Sequence, residues 1–308
     1  MSTASAPPQP CPTQRALLRA LWYFEIFKYP LTAAELKQYS QCDDLPPDEI
    51  LGKLEMLVAE GQAFQFGPYF QSRNEPDWPA RRRDFNRRAD SYLPIARRMA
   101  LLIGAFPYVR GVFVSGSLSK RCMPPDGDID YFIITAPGRL WLARTMLTVF
   151  KKLFLFNSHK YFCINYFVDT EHLEIEEKNL FTATEIITLL PLYGREPYER
   201  FYRANRWAWD LFPNARPYPT ADTPALSFPW FKKLLEHGFA YRLGRWLDRQ
   251  CMRLTVGYWR RKFRHFDPAT FDAALKSRSY VSKHHPLYFQ KKVLDAFARR
   301  CAESQAGE

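Results

Sequence analysis

The chain has 308 residues, a formal net charge of +12, and 47% hydrophobic and 16% aromatic residues. This length predicts two or three domains, and the composition excludes a disordered or low-complexity chain. The positive balance favours an anionic partner: a nucleotide, RNA or an acidic membrane surface.

The six cysteines are scattered without a Cys-x-x-Cys pair, so neither a disulfide frame nor a zinc knuckle is expected. The N-terminus is rich in Ser, Pro and Gln rather than basic then apolar, unlike a secretory leader. The longest uncharged apolar run, near Met99 to Val109, is too short for a transmembrane segment, and a cytoplasmic, reduced protein is expected.

In chain order, residues 1–13 read as a disordered Pro-rich tail and residues 14–75 as a small domain. Leu17, Leu18, Leu21, Trp22 and Ile26 recur at helical spacing. Thr32 and Glu35 form a capping box for a second helix, and a third begins near Pro47. Two alternating runs, Ala63–Phe66 and Tyr69–Gln71, predict a hairpin. Three helices followed by a hairpin resemble a winged helix. The third helix carries Asp48, Glu49, Glu55 and Glu60 against Lys53, a face that repels phosphates, so protein contact is expected rather than sequence-specific DNA reading.

Residues 76–107 form a basic connecting helix. Arg81, Arg82, Arg83, Arg87 and Arg88 either grip phosphates as planar forks or form a solvated face. An apolar stripe through Leu93, Ile95, Met99 and Leu102 then leads into the next strand.

The stretch Gly111 to Thr135 carries the chemistry. A β-branched and aromatic run reaches Val114, small residues Ser115-Gly116-Ser117 interrupt it, and a short helix from Leu118 is expected. A second strand, Ile129–Thr135, opens beside Asp128 and Asp130. Alternate residues of a strand share a face, so the two carboxylates are expected to face one way and to favour a divalent cation between them.

Strand, Gly-Ser, short helix and Asp-x-Asp into a strand resemble the signature of the DNA-polymerase-beta-like nucleotidyltransferase superfamily, over about residues 108–178. The resemblance implies that Gly116 and Ser117 contact a nucleoside triphosphate and that Asp128 and Asp130 hold Mg2+ or Mn2+. It further implies transfer of a nucleoside monophosphate to an acceptor hydroxyl. Lys120 and Arg121 are candidates for neutralising the triphosphate. The acceptor, whether RNA, protein or a small molecule, is not written in the sequence.

Members of this superfamily place a third carboxylate on the next strand, here residues 160–168. Asn165 and Asp169 are the candidates, and by alternation both share a side with Cys163 and Phe167. Asn165 is favoured as the mid-strand polar residue. An amide cannot accept a proton at neutral pH, so Asn165 in that place implies a weak or inactive site, and a nucleotide-binding or regulatory adaptor is the alternative function.

Residues 179–308 read as a helical region without a signature. It holds a helix at Asn179–Leu192, a connector over 194–224, a long basic amphipathic helix over about Phe231–Phe263 and a final helix from Pro286. The long helix suits a membrane surface, a nucleic acid or packing on its own domain. His284-His285 have no regular Cys or His partner for zinc. The expected fold is therefore α+β: a small mixed-sheet nucleotidyltransferase core between a winged-helix-like domain and a helical C-terminal region.

Overall fold

The computed structural model describes residues 10–221, 223–224, 229–238 and 241–306. Most of the tail expected to be disordered, residues 1–9, lies outside the described residues. The first helix, α1 (Pro12–Glu25), starts two residues earlier than the periodicity suggests. Pro12 needs no amide partner there, and the Gln14 side chain accepts from the Cys11 amide at 2.9 Å.

The capping box at Thr32 and Glu35 opens α2 (Ala33–Tyr39), and α3 (Pro47–Ala59) follows. Strands β1 (Phe64–Phe66) and β2 (Tyr69–Gln71) pair as an antiparallel hairpin. Leu17, Leu36, Leu54 and Phe70 share one core here, joined by Val293 and Phe297 from the far end of the chain.

Helix α4 (Trp78–Ala105) docks this unit through a buried arginine. Arg82 lies between the rings of Tyr29 and Tyr69, 4.4 and 4.5 Å away, donates to Glu35 at 2.6 Å and also reaches the Pro30 carbonyl. That arginine is spent on internal contacts rather than on phosphates.

The centre of the molecule is a mixed sheet. β3 (Val109–Ser115) runs into a single turn, α5 (Gly116–Ser119), and returns as β4 (Asp130–Thr135), antiparallel to it. α6 (Leu140–Phe154) carries the chain over to β5 (Cys163–Asp169), parallel to β4. The C-terminal region then supplies α7 (Leu180–Ile187), β6 (Leu190–Tyr193), α8 (Arg195–Ala204), α9 (Trp207–Leu211), α10 (Pro229–Gly238), α11 (Tyr241–Lys262) and α12 (Pro268–Ala274). β7 (Ser277–Arg278), β8 (Val281–Lys283) and α13 (Phe289–Ala306) complete it. The strand order is β6-β3-β4-β5-β8-β7.

Three strands of the sheet thus come from the region expected to be helical. They span two to four residues each, too few to show alternation, and Pro191 in β6 is tolerated because that strand lies at the sheet's edge. The expected connector over 194–224 holds α8 and α9, and the long basic helix is two helices, with residues 239–240 outside the described set.

Both faces of the sheet are covered. Val112, Tyr131, Ile133 and Phe167 pack toward α4, α6 and α11. Phe113, Phe132, Ile134 and Val168 pack toward α7, α8 and α9. The fold is α+β with a mixed six-stranded sheet. Among the described residues no helix is long and apolar enough to cross a membrane.

Candidate functional site

The site forms where β3 ends. Ser115 pairs with Asp130, the first residue of β4, and the chain turns sharply at Gly116 with φ +68°. A Cβ at Gly116 would stand 2.7 Å from Asp130 Oδ2, so only glycine lets the turn lie against that carboxylate. The segment after the turn is pinned from outside the sheet. The Tyr29 hydroxyl donates to the Lys120 carbonyl at 3.2 Å, and Asn86 donates to the Arg121 carbonyl at 2.6 Å. The Tyr218 hydroxyl donates to the Ser119 carbonyl at 3.1 Å.

Asn165 reaches Asp130 through a defect in the ladder. Cys163 and Ile164 pair with Asp130 and Tyr131, and Tyr166 pairs with Phe132, leaving Asn165 as the extra residue of a β-bulge. Its amide donates to Asp130 Oδ1 at 2.9 Å and to Cys163 Sγ at 3.0 Å.

The same bulge corrects the expected alternation. Phe167 joins the opposite face, packed with Tyr131 and Ile133, and Asp169 alternates with it rather than with Asn165. Asp169 also pairs with Thr135, at the other end of β4 from Asp130. There Asp169 is buried and accepts from the amides of Glu171 and His172, both at 3.0 Å, with the His172 ring 2.8 Å away. The structure brings Asn165, and not Asp169, to Asp130.

A third carboxylate does approach, from a helix. Asn179 caps α7, its side chain accepting from the Thr182 amide at 3.0 Å, and α7 turns Glu185 toward the Gly-Ser turn. The Gly116 amide donates to Glu185 Oε2 at 3.0 Å. Lys120 Nζ donates to Glu185 Oε1 at 2.8 Å and to the Gly116 carbonyl at 3.0 Å. In sequence Glu185 is a lone acid in a short amphipathic helix, indistinguishable from a solvated one. Of the two expected triphosphate cations, Lys120 stands in the cluster. Arg121 turns outward and pairs with Asp90 at 2.7 Å, both largely exposed. Ser117 is half-buried, and its carbonyl accepts from the amides of Lys120 and Cys122.

The electrostatics follow from crowding. Burial, then the charges of Glu185 and Asp128, push the Asp130 carboxyl up to about 6, against hydrogen bonds from Cys163 and Asn165. Burial raises the Cys163 thiol as well, and Asp130 and Asp128 add to that rise. Asp128 precedes the strand, half-buried. Its charge counters the burial that lowers Lys151 and His159, which approach each other to 3.4 Å. Two half-buried histidines border the bulge: the His284 amide donates to the Asn165 carbonyl at 2.9 Å, and the His285 ring meets Tyr166 edge-on.

Among the described residues no three His, Cys, Asp or Glu side chains are disposed to hold one metal ion together. The Asp128 and Asp130 pair is nonetheless hard oxygen chemistry, and a carboxyl raised by burial, with Glu185 and Asp128 adding to the rise, is one that a divalent cation would relieve. Compared with known proteins, the chain matches no family model, no curated protein and no solved structure.

Proposed function

We propose that the chain is a metal-dependent nucleotidyltransferase, moving a nucleoside monophosphate from a nucleoside triphosphate to an acceptor hydroxyl. The observation that supports it most is the close seating of Asp130 against Gly116, which joins the Gly-Ser turn and the Asp-x-Asp strand into one site. In this reading the Gly116 amide and Lys120 receive phosphate oxygens, and the short turn through Ser117 lets the backbone approach them. Asp128 and Asp130 would hold magnesium or manganese, which supplies charge neutralisation and an acidified acceptor hydroxyl. Asn165 orients Asp130 through its donated hydrogen bond, leaving the carboxylate's second oxygen toward Gly116.

The test is incubation of the protein with each labelled nucleoside triphosphate, magnesium or manganese, and a cell extract. A labelled acceptor that disappears with Asp128→Asn is expected. Absence of label with every nucleotide and both metals would count against the enzyme.

Two observations favour a second reading, a nucleotide-binding or regulatory adaptor. The bulge residue beside Asp130 is an amide that accepts no proton, and Glu185 already occupies the Gly116 amide and Lys120. In that reading the N-terminal winged-helix-like unit is the adaptor and contacts protein. Asp48, Glu49 and Glu55 stand exposed on α3, which repels phosphates. Lys53→Ala should therefore leave duplex-DNA affinity unchanged. A marked loss would reinstate α3 as a DNA-reading helix.

A further inference from the structure

Helices α6 and α11 lie on the same side of the sheet and pack on each other. Leu142 of α6 donates its amide to Asp248 of α11 at 2.8 Å, and Lys262 at the end of α11 acts on His159 just beyond α6. The face of α11 turned away from the sheet is apolar where a solvated helix would be polar. Leu243, Trp246, Leu254 and Tyr258 are 55%, 52%, 75% and 58% exposed, at spacings that place them on one stripe. Every exposed charge on this helix is basic, and Arg242, Arg249, Arg253 and Arg260 flank the stripe along one edge. The one acid, Asp248, is buried against α6.

The neighbouring elements repeat the inversion. α10 turns two of its charged residues inward: Glu236 accepts two hydrogen bonds from Arg110, both at 2.8 Å, and the buried Lys232 donates to the Gly104 carbonyl at 2.7 Å. Leu234, by contrast, is 62% exposed. α6 ends with Leu153 and Phe154 both 66% exposed. Phe156 follows, 93% exposed on a backbone of φ +49°, a conformation costly for a bulky residue.

We propose that the outer faces of α6, α10 and α11 dock on an anionic bilayer surface, lying in the headgroup plane without spanning it. Leucine side chains neither stack on bases nor hydrogen-bond, so they gain from hydrocarbon and not from a nucleic acid. The tryptophan and tyrosine suit the headgroup level, and the flanking guanidinium groups match lipid phosphates.

The experiment is co-sedimentation of the full chain with vesicles of phosphatidylcholine alone and of phosphatidylcholine with phosphatidylserine, at low and high salt. Binding to the phosphatidylserine vesicles is expected, weakened by salt, with phosphatidylcholine alone bound far more weakly. The paired change Trp246→Glu with Leu254→Glu should reduce binding at least about tenfold. Arg249→Gln and Arg253→Gln should each reduce it about fivefold. All four positions are exposed, so the thermal midpoint should stay at the wild-type value.

No association with phosphatidylserine vesicles overturns the proposal, as does a Trp246/Leu254 double variant that binds like wild type. So does RNA binding or self-association, in the absence of vesicle binding, that the same double variant abolishes. The outcome is independent of any transfer activity at Asp130.

Discussion

The Gly116 amide donates to the Glu185 carboxylate across 3.0 Å, so a helix far along the chain fills the turn where a phosphate oxygen is expected to sit. Lys120 holds the other oxygen of the same carboxylate. Under the proposed function, a substrate phosphate would compete with Glu185 for one amide and one ammonium. Glu185→Ala should tighten metal-free nucleotide binding about tenfold, the scale of one charge-assisted hydrogen bond. Equilibrium dialysis with a labelled nucleoside triphosphate checks this. Weaker binding would instead make Glu185 a ligand that the bound nucleotide needs.

Asp130 sets a pH dependence. Its carboxyl lies near 6 in the fold against 3.8 for the ordinary group, so between those values the native state holds a proton that the unfolded chain has lost. Stability from this group is fully present below pH 3.8 and falls as pH rises through 6. Asp130→Asn should accordingly steady the apo protein at neutral pH by about 1–3 kcal/mol, read from urea midpoints. Magnesium should raise the thermal midpoint above pH 6 and lose that effect below it, where proton and cation compete. A magnesium effect that does not weaken on acidification would contradict the assignment of Asp130 as a ligand.

His284 and His285 act in the opposite direction. Burial, before any charge, pushes them down to about 3 and about 4 from 6.5. Both stay neutral in the fold while the unfolded chain gains protons, so stability is complete above pH 6.5 and is lost as pH falls toward 4. Each histidine contributes about 1.4 kcal/mol per pH unit in that window, offset in part by Asp130. His284→Gln should flatten the fall in urea midpoint between pH 6.5 and 4. An unchanged profile would contradict the burial argument.

Gly194 tests the edge of the sheet. It caps α8 with φ +88°, and a Cβ there would stand 2.2 Å from the Arg110 carbonyl and 2.8 Å from Gly111 Cα. Both atoms belong to the backbone of β3 and cannot swing away. Gly194→Ala should cost at least about 3 kcal/mol of unfolding free energy by urea denaturation. A loss below about 1 kcal/mol would mean that β6 shifts freely at the edge.

What the sequence disclosed depended on length and regularity. β3, β4 and β5 were legible because strands of six and seven residues, mostly apolar, leave a clear pattern, and Thr32 with Glu35 announced α2. The short strands β6, β7 and β8 left none. The sequence pattern placed Gly116, Asp130 and Asn165 on neighbouring strand ends, and they do lie together, but the bulge at Asn165 was invisible. One extra residue against the partner strand reverses every later side chain, which moved Asp169 to the other face. Glu185 was hidden for a different reason. It joins the turn across 69 positions of sequence, and nothing local marks it.

The central claim is that Asp128 and Asp130 bind a divalent cation together with a nucleotide. Calorimetric titration with non-hydrolysable nucleoside triphosphates, with and without magnesium, tests it most directly. The account predicts magnesium-dependent binding of at least one nucleotide, weakened about tenfold or more by Asp128→Asn and by Asp130→Asn, because a charged ligand becomes neutral beside a dication. Asn165→Ala should weaken it less, and Asp169→Asn should leave it unchanged. No magnesium-dependent binding to any common nucleotide, or equal binding by wild type and both Asp variants, would contradict the account.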